Sequence, residues 1–465
     1  MAGGSGRGGA RILFYSQDGL GLGHLRRTSA IAGALARALP GTALLVAADS
    51  PAGQFFGSVP GQDHLKLPSI RKLGPGDWQP ISLPLGFGEV HELRRSLLRT
   101  AALRFRPDLL LVDHMPHGAM GELLPTLSAL RRVGATRVVL GLRDILDAPE
   151  VIGPVWRREG AMAALTRHYD RVLVYGRREV FDVADRYGFP PGVASRLRYT
   201  GYLCTDPRPG GDPADAEAPW TLAAAGPAWT QAAWAAERSG ERAGAGASRP
   251  LVPRRTRPSR IVPGGGAPER ALLLAMVGGG ADGYPVLRAV LDALPAVDAV
   301  RPCRAMLVTG PFMPHASRQE LERRARGLHV RVHHAVRHLP SLLAAADVTV
   351  CMAGYNTSVE VLRAGTPAVL VPRARPSAEQ RTRAGLFADR GWVRTTDPDR
   401  LDPGALAAAV LACLGRGGSG GPMPGPDLGG LGATVAHLCA LLRGDEEPAP
   451  GRPPCEPVLP AAPAP

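Results

Sequence analysis

A short apolar run, Arg11–Ser16 (RILFYS), leads into a glycine-rich turn, Gly19–His24 (GLGLGH), and then a helical pattern from Arg26 to Leu39, with Ile31, Leu35 and Leu39 spaced by four. Thr42–Ala47 (TALLVA) reads as the next strand. Strand, glycine turn, helix and strand form a βαβ unit, which requires parallel strands and a helix covering one face of the sheet. The rhythm recurs at Asp108–Val112 (DLLLV), Arg137–Leu142 (RVVLGL) and Arg171–Tyr175 (RVLVY). These runs are almost continuously apolar, as strands covered on both faces are. Each ends in polar or glycine residues: Asp113–His114, Arg143–Asp144 and Gly176. In an open α/β sheet, that carboxyl edge is where ligands bind.

From 205 to 270 the pattern gives way to Pro, Gly, Ala and Arg, a composition that predicts a disordered insert or linker. A second α/β rhythm follows. Ala271–Val277 runs into Gly278–Gly280, and Pro285 suits the first turn of a helix. Arg304–Thr309, Val330–His334, Asp347–Cys351 and Pro367–Val371 read as strands, and Ala378–Arg390 and Pro403–Leu414 as helices. The expected organisation is a tail over 1–10, a Rossmann-like domain over 11–204, the insert, a second Rossmann-like domain over 271–416, and a Gly/Pro-rich tail over 417–465 with one helical segment, Leu431–Leu442.

The 465 residues carry a formal charge of +14, almost entirely arginine, since Lys66 and Lys72 are the only lysines. Together with the Ala, Gly and Pro richness this reads as compositional bias. Aromatics are 5% and do not alternate with the basic residues, which argues against a nucleic-acid stacking platform. The six cysteines form no C-x-x-C pair, a pattern that fits a reducing cytoplasm. There is no signal-peptide pattern at Met1–Ala10 and no apolar run near the length of a membrane span. The expectation is a cytoplasmic protein able to touch a membrane surface peripherally, through exposed arginines and the loop Leu67–Leu85.

Cys351–Gly365 (CMAGYNTSVEVLRAG) is the most informative stretch. A buried strand ends, Gly354 turns the backbone, and Asn356 or Thr357 is placed to cap the next helix. The free N–H groups of such a helix start are a natural seat for a diphosphate. Glu360, expected within about the first turn, could accept two hydrogen bonds from a ribose diol. Downstream, Glu379–Gln380 pairs a carboxylate with an amide, a combination able to grip sugar hydroxyls. His333, His334 and His338 do not make a metal site: the first two point to opposite faces of a strand. Asp397-Pro398-Asp399 reads as a surface turn. No metal or other cofactor is expected.

The stretch Leu339–Ala384 resembles the donor-binding half of GT-B glycosyltransferases, most closely the family 28, MurG-like type. The resemblance rests on Ala346–Asp347, Gly354, Thr357, Glu360, Gly365, Pro367, Val371–Pro372, Gln380 and Ala384. It implies two Rossmann-like domains facing across a cleft, and a nucleoside-diphosphate sugar as co-substrate. By position, Glu360 would hold the ribose and Glu379 and Gln380 the donor sugar. Val336 and Leu339 would bracket the base, and Gly278, Gly279 and Gly280 would approach the diphosphate. The chain departs from the family pattern in having Gly280 where a hydroxyl residue is common. It also has Gly201–Thr205, with Arg208 only later, where an arginine is common.

In the N-terminal half, Gly21, Gly23 and His24 resemble the family's first glycine loop. His24 would be the base that deprotonates an acceptor hydroxyl. Asp113, His114 and Asp144 stand at neighbouring strand ends, where they could orient His24 or bind acceptor. The acceptor is open and could be lipid-linked or a natural product. A nucleotide-sugar epimerase or hydrolase of the same fold, or a non-catalytic binding protein, would share these features. A dinucleotide-dependent oxidoreductase would use the first glycine loop and Asp49, but its G-x-G-x-x-G fingerprint needs a small residue where Arg26 stands.

Overall fold

The computed structural model describes residues 9–17, 23–50, 59–74, 77–204, 270–336, 339–373, 375, 377–415 and 425–445. The expected insert up to residue 269, both extreme termini and Gly21 lie outside the described residues.

The N-terminal half is a parallel sheet built from β1 (Arg11–Ser16), β2 (Ala43–Ala48), β3 (Gln62–Lys66), β6 (Leu109–Asp113), β7 (Arg137–Arg143), β8 (Arg171–Tyr175) and β9 (Leu197–Tyr199). Their spatial order is β3-β2-β1-β6-β7-β8-β9. An antiparallel hairpin, β4 (Ile70–Gly74) and β5 (Asp77–Pro80), and the long helix Phe87–Phe105 intervene before β6. The sheet order therefore reverses between β1 and β6, so the segments following those two strands flank a crevice. The runs β6 and β8 are buried along their whole length, as their composition requires.

The second half repeats the design. β10 (Ala271–Met276), β11 (Cys303–Val308), β12 (Val330–His333), β13 (Val348–Cys351), β14 (Ala368–Leu370) and β15 (Arg394–Thr395) are ordered β12-β11-β10-β13-β14-β15, all parallel. The chain is thus an α/β protein of two Rossmann-like halves. Its crevice in this half opens between the ends of β10 and β13.

The last described helix, Gly430–Arg443, leaves the second half and packs on the helix Gly23–Ala38 of the first. It is tethered by backbone bonds from Tyr202 N to Asp427 O (2.9 Å) and from Gly430 N to Tyr202 O (3.1 Å). One apolar cluster, including Leu25, Tyr202, Tyr355, Phe387 and Leu438, runs through both halves. Each fully buried side chain of this kind contributes about 1.5–3 kcal/mol, so the halves are joined by core and not only by chain. Among the described residues, no helix is long and apolar enough to cross a membrane.

Candidate active site

The helix Gly23–Ala38 starts at the crevice because β1 ends there, and it carries His24 and Arg27 on one face at i, i+3 spacing. Asp113 closes β6 on the other side of the reversal point. His24 Nδ1 lies 2.5 Å from Asp113 Oδ2. Arg27 donates to the same carboxylate through Nε (3.0 Å to Oδ1) and Nη2 (2.9 Å to Oδ1 and 2.8 Å to Oδ2). Burial alone would push the Asp113 carboxyl up, but Arg27 and His24 hold it well below the usual carboxylate range. With Asp113 ionised, Nδ1 of His24 carries a proton and donates it, which leaves Nε2 as the basic nitrogen. Arg27 Nη2 also lies 2.9 Å from His24 Nδ1; both nitrogens donate to one carboxylate, which sets their closeness.

His114 follows Asp113 in the left-handed backbone region, at φ 72°. Its ring lies 5.1 Å from that of His24, and its buried Nδ1 has no hydrogen-bond partner. Burial, then Arg143 and His24, push its imidazolium well below the ordinary range, so His114 is neutral near pH 7.

The donor-type motif comes to this crevice from the other half. The helix Tyr355–Ala364 has Gly354 as its N-cap residue, with no side-chain cap. This corrects the expectation that Asn356 or Thr357 caps it: both lie inside the first turn. Asn356 instead donates from Nδ2 to Gly23 O across the crevice (3.0 Å). A Cβ at Gly354 would meet nothing within 4 Å, so there is open space beside the helix start. Glu360 is the sixth residue of the helix, in its second turn, about two residues beyond the first turn where it was expected. It pairs through Oε1 with Arg26 of the facing helix, and its buried Oε2 has no partner. Burial raises the Glu360 carboxyl, and Arg26 offsets only part of that rise.

Glu379 opens the helix Glu379–Asp389. Arg143 reaches both its oxygens (2.8 Å each), and Arg383 donates to Oε1 (2.9 Å). Arg383, fully buried, also grips Asp144 (2.6 and 3.1 Å), so Asp144 works as an interdomain tie. Asp147 Oδ1 accepts from Ala378 N (2.7 Å), which caps that helix from the opposite half. Between these groups, the Tyr355 ring is flanked by the guanidinium carbons of Arg27 and Arg383, each 5.6 Å from its centroid. Gln380 Oε1 accepts from Arg373 N (3.0 Å).

Gly278 and Gly280 adopt φ of 61° and 90° in the turn after β10. A Cβ at Gly280 would fall 2.0 Å from Thr309 O, so the turn itself demands glycine and no hydroxyl residue fits. Phe312 packs over Gly279. Val336 and Leu339 are half-buried against the apolar cluster shared by the two halves. His334 accepts at Nδ1 from Arg318 Nη1 (2.7 Å), and His338 lies outside the described residues.

Sequence reasoning missed Arg27 and Arg383. The signal for Arg27 was its i, i+3 spacing from His24 at a helix start; nothing local marks Arg383. Asp49, on which the dinucleotide alternative leaned, is fully buried and paired with Arg94 (3.3 Å), which also holds Glu122 in two bonds of 2.6 Å. That carboxylate is committed to the interior.

Residues 274–417 match the glycosyltransferase family 28 C-terminal domain. Among curated relatives, the UDP-N-acetylglucosamine–N-acetylmuramyl-(pentapeptide) pyrophosphoryl-undecaprenol N-acetylglucosamine transferase of Frankia casuarinae is 36% identical over 94 residues, covering 17% of this chain and 25% of that protein. The chain therefore matches about a quarter of that relative's length. Two solved structures show the same fold over nearly the whole chain. The glycotransferase of kitacinnamycin has a TM-score of 0.54 at 17% identity, covering 94% of this chain and 96% of its own. A Listeria monocytogenes protein assigned as a UDP-N-acetylglucosamine 2-epimerase has a TM-score of 0.55 at 10% identity, covering 94% and 98%. Residues 274–417 thus carry a glycosyltransferase family 28 C-terminal domain, and the chain as a whole shares the two-domain α/β fold of these solved structures.

Proposed function

We propose that this protein transfers a hexose or N-acetylhexosamine from a UDP- or dTDP-sugar to an acceptor hydroxyl, with inversion. The observation that carries the reading is the His24–Asp113 pair, set against the uncapped start of the helix Tyr355–Ala364 by the Asn356–Gly23 bond. In this reading His24 Nε2 takes the proton of the acceptor hydroxyl as its oxygen attacks the anomeric carbon. Asp113 keeps the imidazole in the right tautomer and stabilises the imidazolium that forms. The bond from the anomeric carbon to the diphosphate breaks on the far side, and the leaving charge falls toward the helix N–H groups. Glu360 takes the ribose diol, and Gln380 the donor sugar. Glu379 is held by two arginines, and its part is to fix Arg143 and Arg383 beside the sugar. No metal is assigned a role, and among the described residues no cluster of three or more His, Cys, Asp or Glu side chains could hold one.

The acceptor would enter past His114, whose neutral ring offers a hydrogen-bonding edge. A lipid-linked acceptor agrees with the Frankia relative's named substrate, and a natural product with the kitacinnamycin enzyme's name. Peripheral contact with a membrane would use Leu73, Leu83 and Leu85, which are 50%, 40% and 44% exposed.

The test is to incubate purified protein with a panel of nucleotide sugars and measure nucleotide release with and without acceptor extracts. Acceptor-dependent release is the expected result. Failure to bind any nucleotide sugar sinks the reading. Acceptor-independent formation of an isomerised sugar favours an epimerase instead, and an NAD-linked absorbance change favours an oxidoreductase.

A further inference from the structure

Arg26 and Glu360 form an ion pair across the crevice, and the two partners are unlike. Glu360 is buried, at 9% exposure, and its Oε2 has no partner. Arg26 is 38% exposed, comes from the opposite half, and has Glu360 as its one ion-pair partner among the described residues. A carboxylate that holds a vicinal diol uses both oxygens as acceptors. One of them is already taken by Arg26, so diol binding and the present ion pair compete for Oε1.

The helix Tyr355–Ala364 gives the spacing. Its first N–H groups, which have no partner within the helix, lie about five residues before Glu360, or about 7.5 Å along the axis at 1.5 Å per residue. That distance is within the sweep of one arginine side chain. The helix start meets the start of the helix Gly23–Ala38, because Asn356 Nδ2 bonds Gly23 O. Two positive helix ends and Arg26 therefore converge on one small region. The turn at Gly278–Gly280 cannot add a side-chain donor there, because Gly280 sits against Thr309 O.

We propose that Arg26 is an exchangeable counter-ion of the donor: as the ribose diol takes Glu360, the Arg26 guanidinium moves from that carboxylate to the diphosphate. This inference rests on the donor-site reading above and deepens it. It makes Arg26 a donor-binding residue that discriminates diphosphates from nucleosides. No bond is made or broken in the exchange; one charge-assisted pair replaces another. Arg26 also couples the two halves differently in the two arrangements, since the diphosphate would join the helix starts that the ion pair now joins further down.

The experiment is calorimetric titration of the full chain with UDP and dTDP and with uridine and thymidine, for the wild type, Arg26→Gln and Arg26→Lys. The wild type is expected to prefer the diphosphate over its nucleoside. Arg26→Gln should narrow that preference by about tenfold or more, and should leave nucleoside affinity unchanged or improved because Glu360 is released. Arg26→Lys should keep much of the preference. If Arg26→Gln weakens nucleoside and diphosphate equally, Arg26 only braces the crevice and the inference is overturned while the donor site stands. If the wild type binds neither nucleotide nor nucleoside, the donor site itself is wrong and the inference goes with it. Thermal melts of the variants separate either result from misfolding, and the salt dependence of wild-type UDP binding gives a readout without mutation: an affinity indifferent to ionic strength counts against Arg26.

Discussion

His24 Nδ1 stands 2.5 Å from Asp113 Oδ2, although 89 residues separate the two in the chain. The contact exists because the sheet order places β1 beside β6 and so brings their carboxyl ends together. It converts a histidine at the start of a helix into an oriented base.

His24→Ala is expected to lower transfer by about 100-fold to 10,000-fold, the usual contribution of a positioned base, while donor affinity changes little. Steady-state rates beside donor titrations check this. Transfer surviving at near wild-type rate would place the base elsewhere.

Asp113→Asn leaves the Arg27 charge buried without its partner, so it is expected to destabilise the protein by about 3–5 kcal/mol. The sign with pH follows from the depressed carboxyl. The ion pair's stabilisation is complete above the ordinary value near 3.9 and is lost as pH falls toward the lower folded-state value. Chemical denaturation at pH 7 and below pH 4 should show the gap between wild type and variant shrinking in acid; a gap independent of pH would contradict the assignment.

Glu360 behaves in the opposite way, because burial raises its carboxyl. The protonated form is the one favoured in the folded state, so its favourable contribution is present below about pH 4.3 and lost as pH rises through the raised value. Glu360→Gln should therefore raise the melting temperature at pH 7, change it little at pH 4, and weaken donor binding. Scanning calorimetry at both pH values, with one donor titration, tests all three; a lower melting temperature at pH 7 would count against the account.

Arg383→Ala removes the cation shared by Asp144 and Glu379; it leaves the buried Asp144 without its ion-pair partner, while Glu379 keeps Arg143. A loss of about 3–5 kcal/mol is expected, together with looser coupling of the two halves. Limited proteolysis and denaturant melts would report both. Arg383→Met tests whether packing alone suffices: equal stability to wild type would mean that the charge adds nothing.

Gly280→Ala puts a Cβ 2.0 Å from Thr309 O at φ 90°. The expected cost is about 1–3 kcal/mol, measurable by thermal melt, with donor affinity reduced because the turn must shift. A neutral substitution would show that the turn is not held as described.

Much of the architecture was legible in the sequence, because its signals are local. Almost continuous apolar runs marked β6 and β8, and both proved buried along their whole length. The glycine turn at Gly278–Gly280, the helix Pro403–Leu414 and the late helix near Leu431–Leu442 were visible for the same reason. The hairpin β4–β5 and the helix Phe87–Phe105 were not read out, since the hairpin is short and partly exposed and the helix buries only a thin stripe. Helix starts shifted by a residue or two: Gly354 can cap through its backbone alone, which composition does not signal.

By itself the sequence determined the two α/β halves, the glycine turn at Gly278–Gly280, and the titratable residues that close their strands, because backbone preference and burial periodicity act over a few neighbours. Only the tertiary structure decided the partners. Arg27 belongs to Asp113, Arg26 to Glu360, Arg143 to Glu379, Arg94 to Asp49 and Glu122, and Arg383 to Asp144 and Glu379. In a chain with arginines throughout, any carboxylate has many candidate cations. The choice among them follows from strand order and from how the two halves meet, which fix distances between residues as far as 334 positions apart (360 − 26 for Arg26 and Glu360). Low-dielectric burial then makes those few short pairs count while exposed ones contribute little.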